Sequence, residues 1–173
     1  MIGELIKRSS DWFSGIGYRS DIVTSSRVRI ARNIEGYPFP HWCTEKTLRE
    51  IESNVLEKIL ESEPFENSEI YNLDQIGENE NQILMERNLV SAEFLKDRGK
   101  ILVVSKDKPL SIILNEEDHV RMQTFSCGLE LKKSWQLIDE MDDAFEEIFS
   151  CAYHKKFGYL TSCPTNTGTG IRA

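Results

Sequence analysis

Three stretches of this chain concentrate side chains able to do chemistry. In Ser25-Ser26-Arg27-Val28-Arg29-Ile30-Ala31-Arg32, an extended backbone would project Arg27 and Arg29 from one face. Two guanidinium forks side by side repel each other, and a polyanion between them would offset that cost with bidentate hydrogen bonds. A solvated strand face with local carboxylate partners is the other account. In Asn115-Glu116-Glu117-Asp118-His119-Val120-Arg121, three consecutive carboxylates follow an apolar run. They would repel unless a cation sits among them, either a metal or a substrate guanidinium. An acidic turn between strands explains them equally, and His119 reads as structural. The third stretch runs from Thr161 to Arg172, where Cys163 leads a loop of hydroxyls and glycines. A hydroxyl from Thr165 and exposed backbone amides would favour the thiolate. The loop lacks the spacing of a Walker phosphate loop, and an inert structural cysteine is the plainer reading.

These stretches need elements to hold them. Residues 1–14 read as a short helix with Leu5, Ile6, Trp12 and Phe13 on its apolar side. Asp21–Ile30 alternates and is β-branched, which predicts a strand ended by Tyr37-Pro38-Phe39-Pro40. Thr44 is a candidate N-cap for a helix over Thr44–Ser62, with Leu48, Ile51, Val55, Ile59 and Leu60 at helical spacing. A strand near Ile70–Leu73, a helix near Asn79–Arg87 and a helical turn near Ser91–Lys96 follow. Lys100–Ser105 and Leu110–Asn115 form a predicted hairpin, and Val120–Ser126 a third strand. Glu130–Cys151 is the longest predicted helix, with Leu131, Trp135, Ile138, Phe145, Ile148 and Phe149 on one face; Tyr159–Thr161 is a short strand. The hairpin and the irregular alternation favour an α+β fold with antiparallel pairing.

Composition narrows the function classes. The chain has 173 residues, 21 Lys plus Arg against 29 Asp plus Glu, and a net charge of −8. That average field repels a phosphate backbone, so no nucleic acid partner is expected. No apolar run reaches membrane-helix length and no signal sequence is evident, so the expected setting is cytoplasmic, with no membrane partner. Cys43, Cys127, Cys151 and Cys163 form no close pair, which argues against a zinc site or a disulfide framework.

Taken in order, SSRVRIAR, NEEDHVR and CPTNTGTGIRA resemble the hallmark segments of the ATP:guanido phosphotransferases, the phosphagen kinase family of arginine and creatine kinases. GYPFP, the LVS after Asn88 and GYLTSCPTNTGTG are similar to its bacterial protein-arginine kinase (McsB) branch. The resemblance implies an antiparallel sheet flanked by helices, incomplete here. It divides the chain into a helical lead-in (1–20) and the N-terminal portion of a catalytic domain (21–173). It also implies transfer of the ATP γ-phosphoryl, with Mg2+, to arginine side chains of proteins, tagging them for degradation. By carry-over, Arg27, Arg29, Arg121 and Arg172 would clamp the phosphates. Glu117 would orient the substrate guanidinium as its base, Glu116 would hold magnesium through water, and Cys163 would sit against the guanidinium. Asn88 stands where the family usually stacks a histidine on adenine.

Only 24 residues precede Ser25; the helical domain that free-guanidine kinases carry there is not seen. That favours an open acceptor site and protein substrates with exposed arginine. The implied partners are a zinc-binding, McsA-like activator, the Clp protease machinery and a second copy in a homodimer. A non-catalytic relative that binds nucleotide or phosphoarginine, or a free-arginine kinase, would carry the same motifs.

Overall fold

The computed structural model describes residues 14–63, 65–92, 94–96 and 100–173. The helix predicted over 1–14, and most of the lead-in with it, lies outside the described residues. Six strands form one antiparallel sheet: β1 (Ser25–Arg32), β2 (Ser68–Asn72), β3 (Ile101–Ser105), β4 (Leu110–Leu114), β5 (Val120–Cys127) and β8 (Ile171–Arg172), in the order β2-β3-β4-β5-β1-β8. A separate small hairpin pairs β6 (Tyr153–His154) with β7 (Gly158–Tyr159). The helices are α1 (Glu45–Ile59), α2 (Glu78–Glu86) and α3 (Leu131–Ile148).

The side-chain period of two gives each strand two destinations. On one face Val28, Ile30, Ile112 and Met122 pack beneath Ile51, Val55 and Ile59 of α1 and Ile138, Met141 and Phe145 of α3. On the other, Leu102, Val104, Ile113 and Phe125 pack under Leu84 of α2, together with Leu89 and Phe94. With both faces covered, β3 and β4 are buried along their whole length. Their sequences read accordingly as continuous apolar runs. The register aligns Arg29 with Gln123 and Arg172, and Ala31 with Arg121. The β5–β1–β8 half of the second face therefore carries arginines where the other half carries apolar side chains.

Several boundaries differ from the sequence reading. β1 begins at Ser25 and not Asp21, because Ile22 and Val23 donate to the Arg19 carbonyl in a turn. Thr44 caps α1 as predicted, its hydroxyl accepting from the Thr47 amide at 3.2 Å. The predicted turn near Ser91–Lys96 is a 3-10 turn over Phe94–Lys96. Leu131 and Trp135 are not on the buried face of α3: they are 43% and 39% exposed, and Ser134, Ile138, Met141, Asp142 and Phe145 fill that face. The predicted strand at Tyr159–Thr161 shortens to Gly158–Tyr159, since the Thr161 hydroxyl turns back to the Cys163 carbonyl at 2.8 Å.

Candidate active site

The uncovered half of the second face is the floor of a hollow of about 450 Å³. Arg29 from β1, Arg121 from β5 and Arg172 from β8 line it. The turn between β4 and β5 adds Glu116, Glu117 and Asp118, and the loop before β8 adds Asn166 and Gly170. Ser91 and Phe94, beyond α2, close another side. Three sequence stretches that are far apart along the chain thus meet in one place.

The arginines tolerate one another at a cost. Burial lowers the Arg29 pKa first, and the like charges of Arg121 and Arg172 lower it further, against Glu116 and Glu117. Arg27 is lowered by burial and by Arg29. Arg121 is lowered by burial and by Arg27, with Glu116 opposing. Guanidinium groups stay protonated regardless. The result is concentrated positive charge in a partly buried cleft on an acidic protein, which is what an anion with several oxygens would find favourable.

The two glutamates of the turn have different surroundings. Glu116 pairs with Arg121 through Oε2, while its Oε1 accepts from the Ser91 hydroxyl at 3.0 Å. Ser91 is itself fixed because its Oγ accepts from the Phe94 amide at 3.1 Å. Glu117 is exposed to the hollow's mouth. Asp118 is buried and structural: Oδ1 accepts from Asn33 Nδ2 and from the Ser162 amide, both at 2.7 Å. Asn33 returns a bond, its Oδ1 accepting from the His119 amide at 2.9 Å, and its Nδ2 also donates to the Leu160 carbonyl at 3.1 Å. His119 Nδ1 accepts from the Ile34 amide at 3.0 Å, so Nε2 carries the proton and donates to the Pro38 carbonyl at 2.8 Å. Burial lowers the His119 pKa and keeps this tautomer neutral. Asn115, at φ 54°, closes the turn through its amide to the His119 carbonyl at 2.9 Å.

The remaining predicted residues are not among the walls of the hollow. Arg27 acts on Arg29 and Arg121 electrostatically. Cys163 lies on the wall-forming loop, with Sγ 3.0 Å from the Thr165 hydroxyl. Burial pushes up the Cys43 thiol, and that of Cys151 to about 12, so neither offers a thiolate at neutral pH. Asn88, exposed at φ 57°, follows α2. Ser91, Asn33 and Asp118 were not singled out from sequence. Asp118 lies inside the acidic motif and Asn33 directly follows the arginine motif, and that adjacency was the available signal.

Among solved structures, the fold is similar to the substrate-free duplicated taurocyamine kinase from Schistosoma mansoni, with TM-score 0.78 and 22% identity, over 92% of this chain and 24% of that one. It is also similar to a lombricine kinase, with TM-score 0.73 and 22% identity, over 86% of this chain and 46% of that one. Curated relatives are nearer in sequence. The protein-arginine kinase of Desulforamulus reducens is 44% identical over 95% of this chain and 47% of that protein. The one from Symbiobacterium thermophilum is 41% identical over 98% and 50%. The chain therefore spans about half the length of the curated relatives it matches. The family model described as ATP:guanido phosphotransferase, C-terminal catalytic domain, matches residues 50–173. With that match joined to the shared fold, the chain belongs to the ATP:guanido phosphotransferase family.

Proposed function

We propose that this chain is the part of a cytoplasmic protein-arginine kinase, residues 21–173 forming the N-terminal portion of its catalytic domain, that grips ATP and presents the acceptor guanidinium. One observation carries the reading: Arg29, Arg121 and Arg172 line the same hollow as Glu116 and Glu117. Phosphoryl transfer asks little covalent chemistry of a protein; it asks for alignment and for neutralisation of the equatorial oxygens. Arg29, Arg121 and Arg172 supply the charge, and Arg27, on the same face of β1 as Arg29, reinforces it. Glu117, exposed at the mouth, holds an arginine side chain by a forked ion pair and orients the nitrogen that will be phosphorylated. It accepts a proton only once that nitrogen is losing its positive charge, so its main contribution is orientation. Cys163, with Thr165 beside its sulfur, braces the guanidinium.

No three His, Cys, Asp or Glu side chains among the described residues form a metal cage. The Glu116 carboxylate on the wall of the hollow fits Mg2+, which prefers one or two carboxylates together with substrate phosphates. Glu116 would hold it through water, leaving Glu117 to the acceptor guanidinium, and when bound it would neutralise phosphate charge. Because Arg121 and Ser91 already engage Glu116, its reach to the metal is indirect. Asn88 packs its amide against the adenine from outside the hollow. The partners inferred with this activity are proteins with exposed arginines, destined for the Clp machinery, a zinc-binding activator and a second copy of the chain.

The test is to express the full reading frame containing this chain and incubate it with MgATP and an arginine-rich protein. Acid-labile phosphoarginine that disappears on Glu117→Ala is the expected result. Binding of ATP without any phosphoarginine would identify a non-catalytic nucleotide-binding relative, and turnover of free arginine alone a small-molecule kinase.

A further inference from the structure

Arg32 ends β1 with a side chain only 2% exposed, pointing away from the hollow. A guanidinium that deep is costly unless its donors are met. Arg32 Nη1 donates to the carbonyls of Ala31 and Thr169, both at 2.9 Å. Nη2 donates to Asp142 Oδ2 of α3 at 2.5 Å, and the guanidinium plane lies 3.5 Å over the Tyr159 ring. One side chain thereby joins the end of β1, helix α3, the small hairpin and the loop before Arg172. That loop is pressed close: the Ala31 amide donates to the Gly170 carbonyl at 2.9 Å. A Cβ at Gly170 would meet Arg32 Nη1 at 2.5 Å and the Ala31 carbonyl at 2.6 Å, and its φ is +70°. The same loop is tied to the hairpin, the Tyr159 amide donating to the Gly168 carbonyl at 2.8 Å.

We propose that Arg32 is a positioning residue: it clamps Thr169 and Gly170 onto β1 and so sets where Arg172 and the Cys163 loop stand relative to Glu117. The aim of Arg172 at the phosphates rests on the reading of the hollow given above; the placement of Cys163 does not. Lysine at position 32 would keep the charge but lose the fork that reaches two carbonyls at once and the flat face that stacks on Tyr159. The contacts with Thr169 and Tyr159 serve the loop, whereas the contact with Asp142 serves the helix. The two roles separate by substitution.

The experiment uses the chain with Arg32→Lys, Gly170→Ala and Asp142→Asn. Three quantities are read: the melting temperature, the affinity for inorganic tripolyphosphate, and the rate of Cys163 alkylation by iodoacetamide relative to Cys43 in the same molecule. Arg32→Lys is expected to weaken tripolyphosphate binding about tenfold, the scale of one charge-assisted contact, and to change the Cys163 to Cys43 ratio severalfold. Gly170→Ala leaves Arg32 in the sequence but forces its added Cβ against Arg32 Nη1 and the Ala31 carbonyl; it should push the loop off β1 and is expected to do the same, which keeps the test open if Arg32→Lys fails to fold. Asp142→Asn is expected to lower the melting temperature and leave the other two readings unchanged. If Asp142→Asn moves them in proportion to lost stability, or if Arg32→Lys and Gly170→Ala move only the melting temperature, Arg32 is merely structural and the proposal is overturned. Should tripolyphosphate fail to bind even the parent while the alkylation ratio still responds to Arg32→Lys, the phosphate reading falls and the clamp stands.

Discussion

Glu116 and Glu117 are the same residue type at adjacent positions, yet they have different jobs because of what surrounds them. Arg121 and Ser91 hold Glu116, so it competes with any anion for Arg121. Glu116→Gln is therefore expected to raise tripolyphosphate affinity severalfold, and Arg121→Ala to lower it by more than tenfold; isothermal titration checks both. Nothing in the motif distinguishes the two glutamates, since the hydroxyl that fixes one comes from 25 residues upstream. His119 makes a second case. Its folded pKa lies below its ordinary value because burial disfavours the charged ring and Ile34 already donates to Nδ1. The unfolded chain then binds the extra proton, so stability falls as pH drops below about 6.5, at up to about 1.4 kcal/mol per pH unit. Urea melts between pH 7.5 and 5.5 should show a smaller decline for His119→Gln than for the parent. The structural reading of His119 was available from sequence, because a single histidine beside a buried strand has few other uses.

Among the elements, α1 was the most legible, since its cap and its buried stripe are both local signals. Removing the cap with Thr44→Ala should cost about 1 kcal/mol in a urea melt. α3 was legible in existence but not in orientation: its apolar residues spread beyond one stripe, and Leu131 and Trp135 belong to the exposed part of its surface. Periodicity alone favours the larger side chains, whereas the sheet admits Ser134 because its hydroxyl pairs with that of Ser126 at 2.9 Å. Trp135→Ser should accordingly change stability by less than about 0.5 kcal/mol, and Ile138→Ala should lower it by about 2–5 kcal/mol. Denaturant midpoints decide between the two faces. The early start assigned to β1 failed for a different reason, since β-branched residues at Ile22–Thr24 serve a turn as readily as a strand once Arg19 adopts a positive φ.

For the whole molecule, the motifs showed which residues could do chemistry, but their meeting follows from strand order, which periodicity does not encode. β1 lies between β5 and β8, so its arginines are brought beside Arg121 and Arg172 by pairing partners roughly a hundred and more positions away along the chain. The local positive field inside a chain of net charge −8 has a measurable signature. Tripolyphosphate binding should weaken steeply as sodium chloride rises from about 0.05 to 0.5 M, because screening shortens the reach of the clustered charges.

The two faces of the sheet divide labour, and that division bears on how such a protein can change. One side is committed to staying folded, along with half of the other. The remaining quarter, where the guanidinium groups stand, contributes little to cohesion. Substitutions there can alter what the cleft binds while the scaffold persists, so new ligands can be explored from this framework without first rebuilding it.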